Sequence, residues 1–465
     1  MPRPARMERI ALVAPSGSLR DVLVRVAASG AVELDTAGIG QAAKGEAGRA
    51  LQHAVRTPEN AALTAAAPDV DGLQRLGRYD LLAGEAQLEE YAAAAPRRGS
   101  VAALAGWAPA DRAAGLAAQL SAVGGAVVRL PRPPGMQAPT LLGGTAVRRS
   151  LTPLVDVYGT VPYADIDPAH LAWASYVLMF GMMFGDVGQG AALVVVGAAM
   201  YARWPRWLGR FHVAWPFVVG AGVTSTAFGF LYGECFGPTG LVPVLWLRPL
   251  SEPLTLLAAA LALGAVLLAG AYALGTINRW REGGWPVALY APTGIAGTAL
   301  FAGLGAAAAG LYARQGALIA AGAAVALAGL GFAFAGFVAE AGGGGTGIAQ
   351  ASVEVFDTVI RLGSNVVSFA RLAAFGLTHA ALGLIVWEAT VSLWHRGGAA
   401  VAVAVVVFVL GNLLAFALEA LVAGIQAMRL EYYELFSRLF VTQGRPFRPW
   451  HLPVQAKEGA PCPPG

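Results

Sequence analysis

Charge is scarce in this sequence. Asp, Glu, Lys and Arg make up 13% of its 465 residues, hydrophobic residues make up 56%, and the mean hydropathy is +0.58. A soluble globular chain carries about 25% charged residues, so several membrane-spanning helices are required here. Cysteine is nearly absent: Cys235 and Cys462 offer neither a disulfide framework nor a thiolate metal motif. No GxxxxGK[ST] occurs, so the chain has no P-loop for nucleotide hydrolysis, and the glycine run 342–345 reads as a flexible loop. The opening MPRPARMERIALVAPSGSLRD lacks the apolar run of a signal peptide, which leaves the amino-terminal domain in the cytoplasm as the expectation. The net charge of +4 and pI near 9.2 fit a membrane protein with basic cytoplasmic loops and give no reason to invoke nucleic acid.

The apolar excess begins only after about residue 165. Before it, MERIALVAP reads as a strand, SLRDVLVRVAASG as a helix and AVELD as a second strand. SVAALAGWAPADRAAGLAAQLSAVGGAVVRL repeats the strand–helix–strand pattern. The region 41–95 between them has helical propensity but weak apolar periodicity. The spacing thus predicts a cytoplasmic α/β domain over 1–165 with two βαβ-like lobes and a short helical arm. PRPPGMQAPT, rich in proline, is a linker that cannot be helical throughout.

Apolar stretches follow at about 169–202, 211–233, 254–277, 286–312, 316–339, 352–394 and 399–440. The first is too long for one span of about 20 residues. Its middle, FGMMFGDVGQG, sets glycines around Asp186, so it splits into two short helices. Eight spans then place RWPRWLGR (203–210), NRWREGG (278–284) and the RPFRP tail on the cytoplasmic side; seven would put both basic loops outside. The expected fold is a mainly α membrane protein with about eight transmembrane helices over 166–445. Two long tilted helices end it, and a cytoplasmic tail covers 446–465.

Within 351–394 a single arginine, Arg371, sits near the middle of an apolar helix. On insertion scales an arginine there costs about 2.5–3.5 kcal/mol. Its pKa, above about 12, bars escape by deprotonation. Arg371 must therefore face a polar partner or water. Asp357, Ser364, Arg371 and Thr378 are seven apart and share a helix face, with His379 beside it. In the last stretch Glu419, Gln426 and Arg429 share a face likewise. Position alone leaves bland readings beside the functional ones. Arg371 pairs with Asp357 or Glu354, Glu419 pairs with Arg429, and His379 is a packed, hydrogen-bonded side chain. Asp186 caps a helix, Glu234 belongs to an ordinary loop or a channel entrance, and Tyr432, Tyr433 and Phe436 are interfacial anchors.

YGTVPYADIDP (158–168), FGMMFGDVGQG, TAFGFLYGECFG (226–237), SFARLAAFGLTHAAL (368–382) and LEALVAGIQAMRLEYYELFSRLFVTQGRPFRPW stand in an order that resembles subunit a, or subunit I, of the V-type and archaeal/bacterial A/V-type rotary ATPases. AGWAP (105–109) and MERIALVAP resemble the family's cytoplasmic domain, here shortened. The resemblance implies a stator subunit of an ATP-driven pump, not catalytic alone and without cofactor or metal site. It would lie in the cell membrane with both termini cytoplasmic. The implied partners are a proteolipid rotor ring, the V1/A1 ATPase and peripheral stalk subunits, membrane lipid, and H⁺ or Na⁺ as the transported ion. The family's essential arginine falls on Arg371 and its second on Arg429. Residues of its aqueous half-channels fall on His379, Glu419 and Asp357, with Ser364 on the same face. Gln426 stands where some members carry histidine. Gly181, Gly185, Asp186, Gly188, Gly229, Tyr232, Gly233 and Glu234 belong to the structural motifs. The competing readings are a secondary transporter with Arg371 binding an anionic substrate, and a non-pumping assembly scaffold.

Overall fold

A computed structural model describes residues 4–35, 45–52, 60–133, 136–141, 161–163, 165–439 and 444–455. Parts of the expected 41–95 arm, most of the segment joining the two halves, and the tail beyond Gln455 lie outside these residues. The chain divides into two compact units: one of residues 3–143 and 444–465, the other of 144–443 with the first two residues.

In the first unit, β1 (Met7–Pro15), α1 (Leu19–Ser29) and β2 (Glu33–Leu34) form as the apolar pattern predicts, as do β5 (Val101–Pro109), α5 (Ala110–Ser121) and β6 (Ala126–Arg129). They are not separate lobes. The strands interleave in one antiparallel sheet ordered β2-β5-β1-β6, with β4 (Arg97–Arg98) also paired to β5, Met7 opposite Pro109 and Ile10 opposite both Gly106 and Arg129. Alternation along β1 turns Ile10, Leu12 and Ala14 into a core shared with Val22, Leu23 and Val26 of α1 and Leu116 and Leu120 of α5. Each βαβ pattern alone leaves a strand face uncovered, and interleaving covers both. The arm supplies α2 (Glu46–Gln52), β3 (Leu63–Thr64), α3 (Val70–Arg75) and α4 (Tyr79–Ala94), with a small core of Ala47, Ala62, Leu73, Leu81 and Leu82.

The described tail is part of this unit. Its strand β7 (Val454–Gln455) pairs in parallel with β3, and Trp450 and Leu452 are buried in the main core. Trp450 donates its backbone N–H to Val32 O (2.8 Å), its indole N–H to Gln87 (3.2 Å), and packs its ring at 4.7 Å, tilted, against Tyr91.

The second unit is helical. The glycine break divides the first apolar stretch into α6 (Ala169–Met183) and α7 (Val187–Tyr201). Then come α8 (Trp215–Tyr232), α9 (Pro253–Tyr290), α10 (Ile295–Ala313), α11 (Gly316–Glu340), α12 (Gly344–Ser368), α13 (Ala370–His395) and α14 (Ala399–Leu430). Among the described residues six helical stretches are long and apolar enough to cross a membrane, with α12 and α13 counted as one 52-residue stretch, and α6 and α7 are shorter apolar helices. Two sequence expectations change. NRWREGG is not a loop: α9 runs through it and breaks only at Gly283 and Gly284, the latter at φ 71°. The 351–394 helix lapses for one residue at Phe369, whose buried ring seats where a Cβ on Gly264 of α9 would stand.

Candidate functional site

α6, α7, the end of α12, α13, α14 and the loop after α8 bring polar residues from distant sequence positions into two clusters along α13. The first surrounds Arg371. Its Nη2 donates to Ser368 Oγ at 3.2 Å, and that hydroxyl bonds in turn to Glu434. Glu434 lies on a π-helical turn, Glu431–Phe436, that continues α14, and both Arg371 and Arg429 act on its charge. Arg371 Nη1, Glu434 Oε2 and Gln426 Oε1 are buried without a hydrogen-bond partner among the described residues. Such atoms cost about 1–3 kcal/mol each unless something outside the chain meets them. Next to this cluster Glu431, also buried, accepts from Ser175 of α6 at 2.6 Å.

The second cluster is centred on His379, eight residues further and so about 12 Å along α13. Its Nδ1 bonds to Glu419 of α14, and its ring packs at 4.8 Å on Phe184. Glu234 and Asp186 also lie within electrostatic reach of His379. Asp186 caps α7, accepting from Gln189 N at 2.8 Å and from Gly237 N at 3.1 Å, while Val187 N donates to Glu234 O at 3.0 Å. Gln189 reaches Asn412 of α14 at 3.4 Å. Buried Leu372, Ala373 and Gly376 separate the two clusters on α13. Glu234 also lines a cavity of about 450 Å³ under the 233–251 loop, with Arg248 and, from α13, Ala380 and Leu384.

The glycine motifs serve close approach. A Cβ on Gly229 would stand 2.3 Å from Val187 N, and Gly233, at φ 73°, ends α8 in a conformation that L side chains avoid. Gly181 faces Thr224, Gly185 the Tyr232 ring, and Gly188 the Phe236 ring; Tyr232 OH donates to Met182 O at 3.4 Å.

Not every predicted residue joins these clusters. Asp357 pairs with Arg361 at 2.6 Å on α12, and Ser364 and Thr378 are exposed, so the seven-residue seam does not continue as one buried stripe. Arg429 is exposed and Glu419 pairs with His379, not with Arg429. Phe436 is fully buried against Tyr432, not an interfacial anchor, whereas Tyr433 is exposed. Glu434, Glu431 and Ser368 escape sequence reasoning because EYYELF reads as an ordinary polar helix end. The signal available was spacing: Glu434 follows Arg429 by five, the step that one π-turn brings onto a single face.

A third polar group lies at the end of the second unit. Arg279 holds Glu282 by two contacts of 2.6 and 2.7 Å, and Asn278 Oδ1 accepts from Ile166 N. Burial and the neighbouring Glu282 push fully buried Asp165 up to about 7, against the pull of Arg279 and Arg281. The folded chain then keeps a proton that the unfolded chain releases above about pH 4, so stability falls as pH rises from 4 towards 7. In thermal unfolding of the purified chain at pH 5 and pH 8, wild type should lose several degrees more than Asp165→Asn.

Fold and clusters define a polytopic α-helical membrane protein with a charged site inside its helices and a smaller α/β unit. The profile of the V-type ATPase 116kDa subunit family matches residues 98–240. An A-type ATP synthase subunit I from Aeropyrum pernix is 28% identical over 346 residues, 64% of this chain and 49% of that one. One from Halobacterium salinarum is 26% identical over 375 residues, 65% and 50%. A V-type ATP synthase subunit I 2 from Treponema pallidum is 36% identical over 154 residues, 30% and 34%. These matches make the chain similar to the membrane subunits of the V- and A-type ATPases and support that family for it. It spans about half the length of the curated relatives it matches.

Proposed function

We propose that this chain is the non-hydrolytic stator subunit of a rotary ATPase, carrying H⁺ or Na⁺ between two half-channels that Arg371 keeps apart. A carboxylate on a rotor subunit crosses lipid only when neutral, protonated or holding Na⁺. Meeting Arg371, it is driven to ionise, because a fixed cation favours the charged form. The released ion leaves by one polar path and the next is taken from the other. His379, Glu419, Asp186, Glu234 and the cavity under the 233–251 loop make one path. Glu434, Ser368 and Gln426 make the other, with the charge of exposed Arg429 acting on Glu434.

The observation that carries this reading is the pair of buried polar clusters about 12 Å apart on α13, with a guanidinium whose Nη1 has no partner among the described residues. The tail within the α/β unit supports an even number of crossings, with both flanks of the helical unit on one side. Membrane extracts should test the assignment directly. The tagged chain is expected to come out with a carboxylate-bearing proteolipid ring, peripheral stalk subunits and nucleotide-hydrolysing subunits. Recovery alone, with anion exchange in vesicles, would instead make it a secondary transporter.

A further inference from the structure

The segment joining α7 to α8 plays no part in either polar path, yet its sequence is far from neutral. It reads Arg203-Trp204, Arg206-Trp207, Arg210-Phe211: a basic–aromatic dipeptide three times in nine residues. No acidic residue occurs between Asp186 and Glu234, so the charge has no counterpart on its own stretch of chain. All six side chains are exposed, the rings heavily so: Trp204 by 75%, Trp207 by 66% and Phe211 by 60%. Arg203, at φ 57°, closes α7 with its N–H on Met200 O (3.1 Å) and turns the chain out of the helix. A short 3-10 helix, Leu208–Ala214, leads back into α8.

Three large rings in water are unfavourable, and aromatic surface of this size marks a docking face. The flanking helices decide which face it is. α7 and α8 are apolar and joined by only thirteen residues, 202–214, so the segment stays at the membrane surface. There a tryptophan ring finds its preferred depth near the headgroups. Guanidinium groups beside it meet phosphate oxygens with two parallel hydrogen bonds. A nucleic acid would meet the same residue types, but only on a segment standing clear of the bilayer. A neutral lipid surface would satisfy the rings and leave three arginines unanswered.

We propose that residues 203–211 form a binding site for anionic phospholipid headgroups, the three rings seated at the interface and the three arginines on phosphates. The site is independent of ion translocation and requires only that α7 and α8 lie in a membrane.

The test uses the full chain in bilayers containing brominated phosphatidylglycerol or brominated phosphatidylcholine. The difference in fluorescence quenching between wild type and Trp204→Phe/Trp207→Phe isolates these two indoles from the other nine of eleven. Those indoles are expected to select the anionic lipid by tenfold or more, with up to about fivefold lost for each arginine replaced by glutamine. High salt should bring the ratio towards one. The proposal is overturned by strong but equal quenching from both lipids. Absence of quenching from either, which would mean a protein or water contact, overturns it too. So does selectivity that survives in Arg203→Gln/Arg206→Gln/Arg210→Gln. The wild-type ratio decides the matter even where that triple variant does not fold.

Discussion

Replacing Arg371 by alanine is expected to take ATP-driven ion uptake by the reconstituted complex to background while nucleotide hydrolysis by the soluble subunits persists. Two effects combine. Without the cation, nothing favours ionisation of the passing carboxylate, so the ion is not released at the boundary. Without the bulky charged side chain, α13 keeps Leu372, Ala373 and Gly376 between the two clusters, two of them small. The alanine variant should therefore also leak ions down an imposed gradient. Arg371→Lys separates the effects: it keeps a barrier and a charge, but a desolvated ammonium loses its proton far more readily than a guanidinium. Lysine is expected to retain a small, pH-dependent fraction of uptake that fades as pH rises. Uptake at wild-type rate in the alanine variant would dismiss Arg371 as the discharging group, and the Ser368–Glu434 contact would then be its whole purpose.

That contact shows how far the sequence could be read. The element types were legible, because apolar run lengths and period-two alternation report directly on helix and strand. So was the division of 169–202, because four glycines round a carboxylate cannot continue a helix cheaply. Arg371, His379 and Glu419 were legible as charged residues in hydrocarbon. Their pairing was not. His379 and Glu419 are forty residues apart, and only the crossing of α13 and α14 joins them. Heptad spacing suggested instead a seam through Asp357 and Ser364. It failed because it treats 351–394 as one uninterrupted helix and says nothing of which face the neighbours cover. Asp357 found a local partner four residues on. The interleaved sheet was hidden for a similar reason, since two strand–helix–strand patterns are equally compatible with two lobes and with one sheet. Long-range register leaves no local trace.

The tail is the clearest case of structure that composition conceals, and it carries the second large effect. GRPFRPWHLPVQ has three prolines in twelve residues, which bars a continuous helix, and was legible only as a tail. In the fold it is a strap. Arg445 pairs with Glu33 at 2.5 Å, Arg448 N donates to Glu33 at 2.8 Å, and Leu452 N donates to Ala27 O at 3.2 Å. Arg78 Nη2 donates to Gln455 at 2.9 Å. Trp450 fills the space between Tyr91 and the main core, and truncating a buried tryptophan to alanine costs about 3–5 kcal/mol. A domain of this size has only about 5–15 kcal/mol in total. Ending the chain at Gly444 removes Trp450, Leu452 and the β7 pairing together, and leaves Glu33 without Arg445. The soluble unit should then open, so that limited proteolysis trims residues 4–130 within minutes while the helices from Ala169 onward stay intact. Trp450→Phe should hold most of the protection, since it keeps the ring contact with Tyr91 and gives up the hydrogen bond to Gln87. Equal protection in the truncated chain would show that the sheet and α1 stand without their strap.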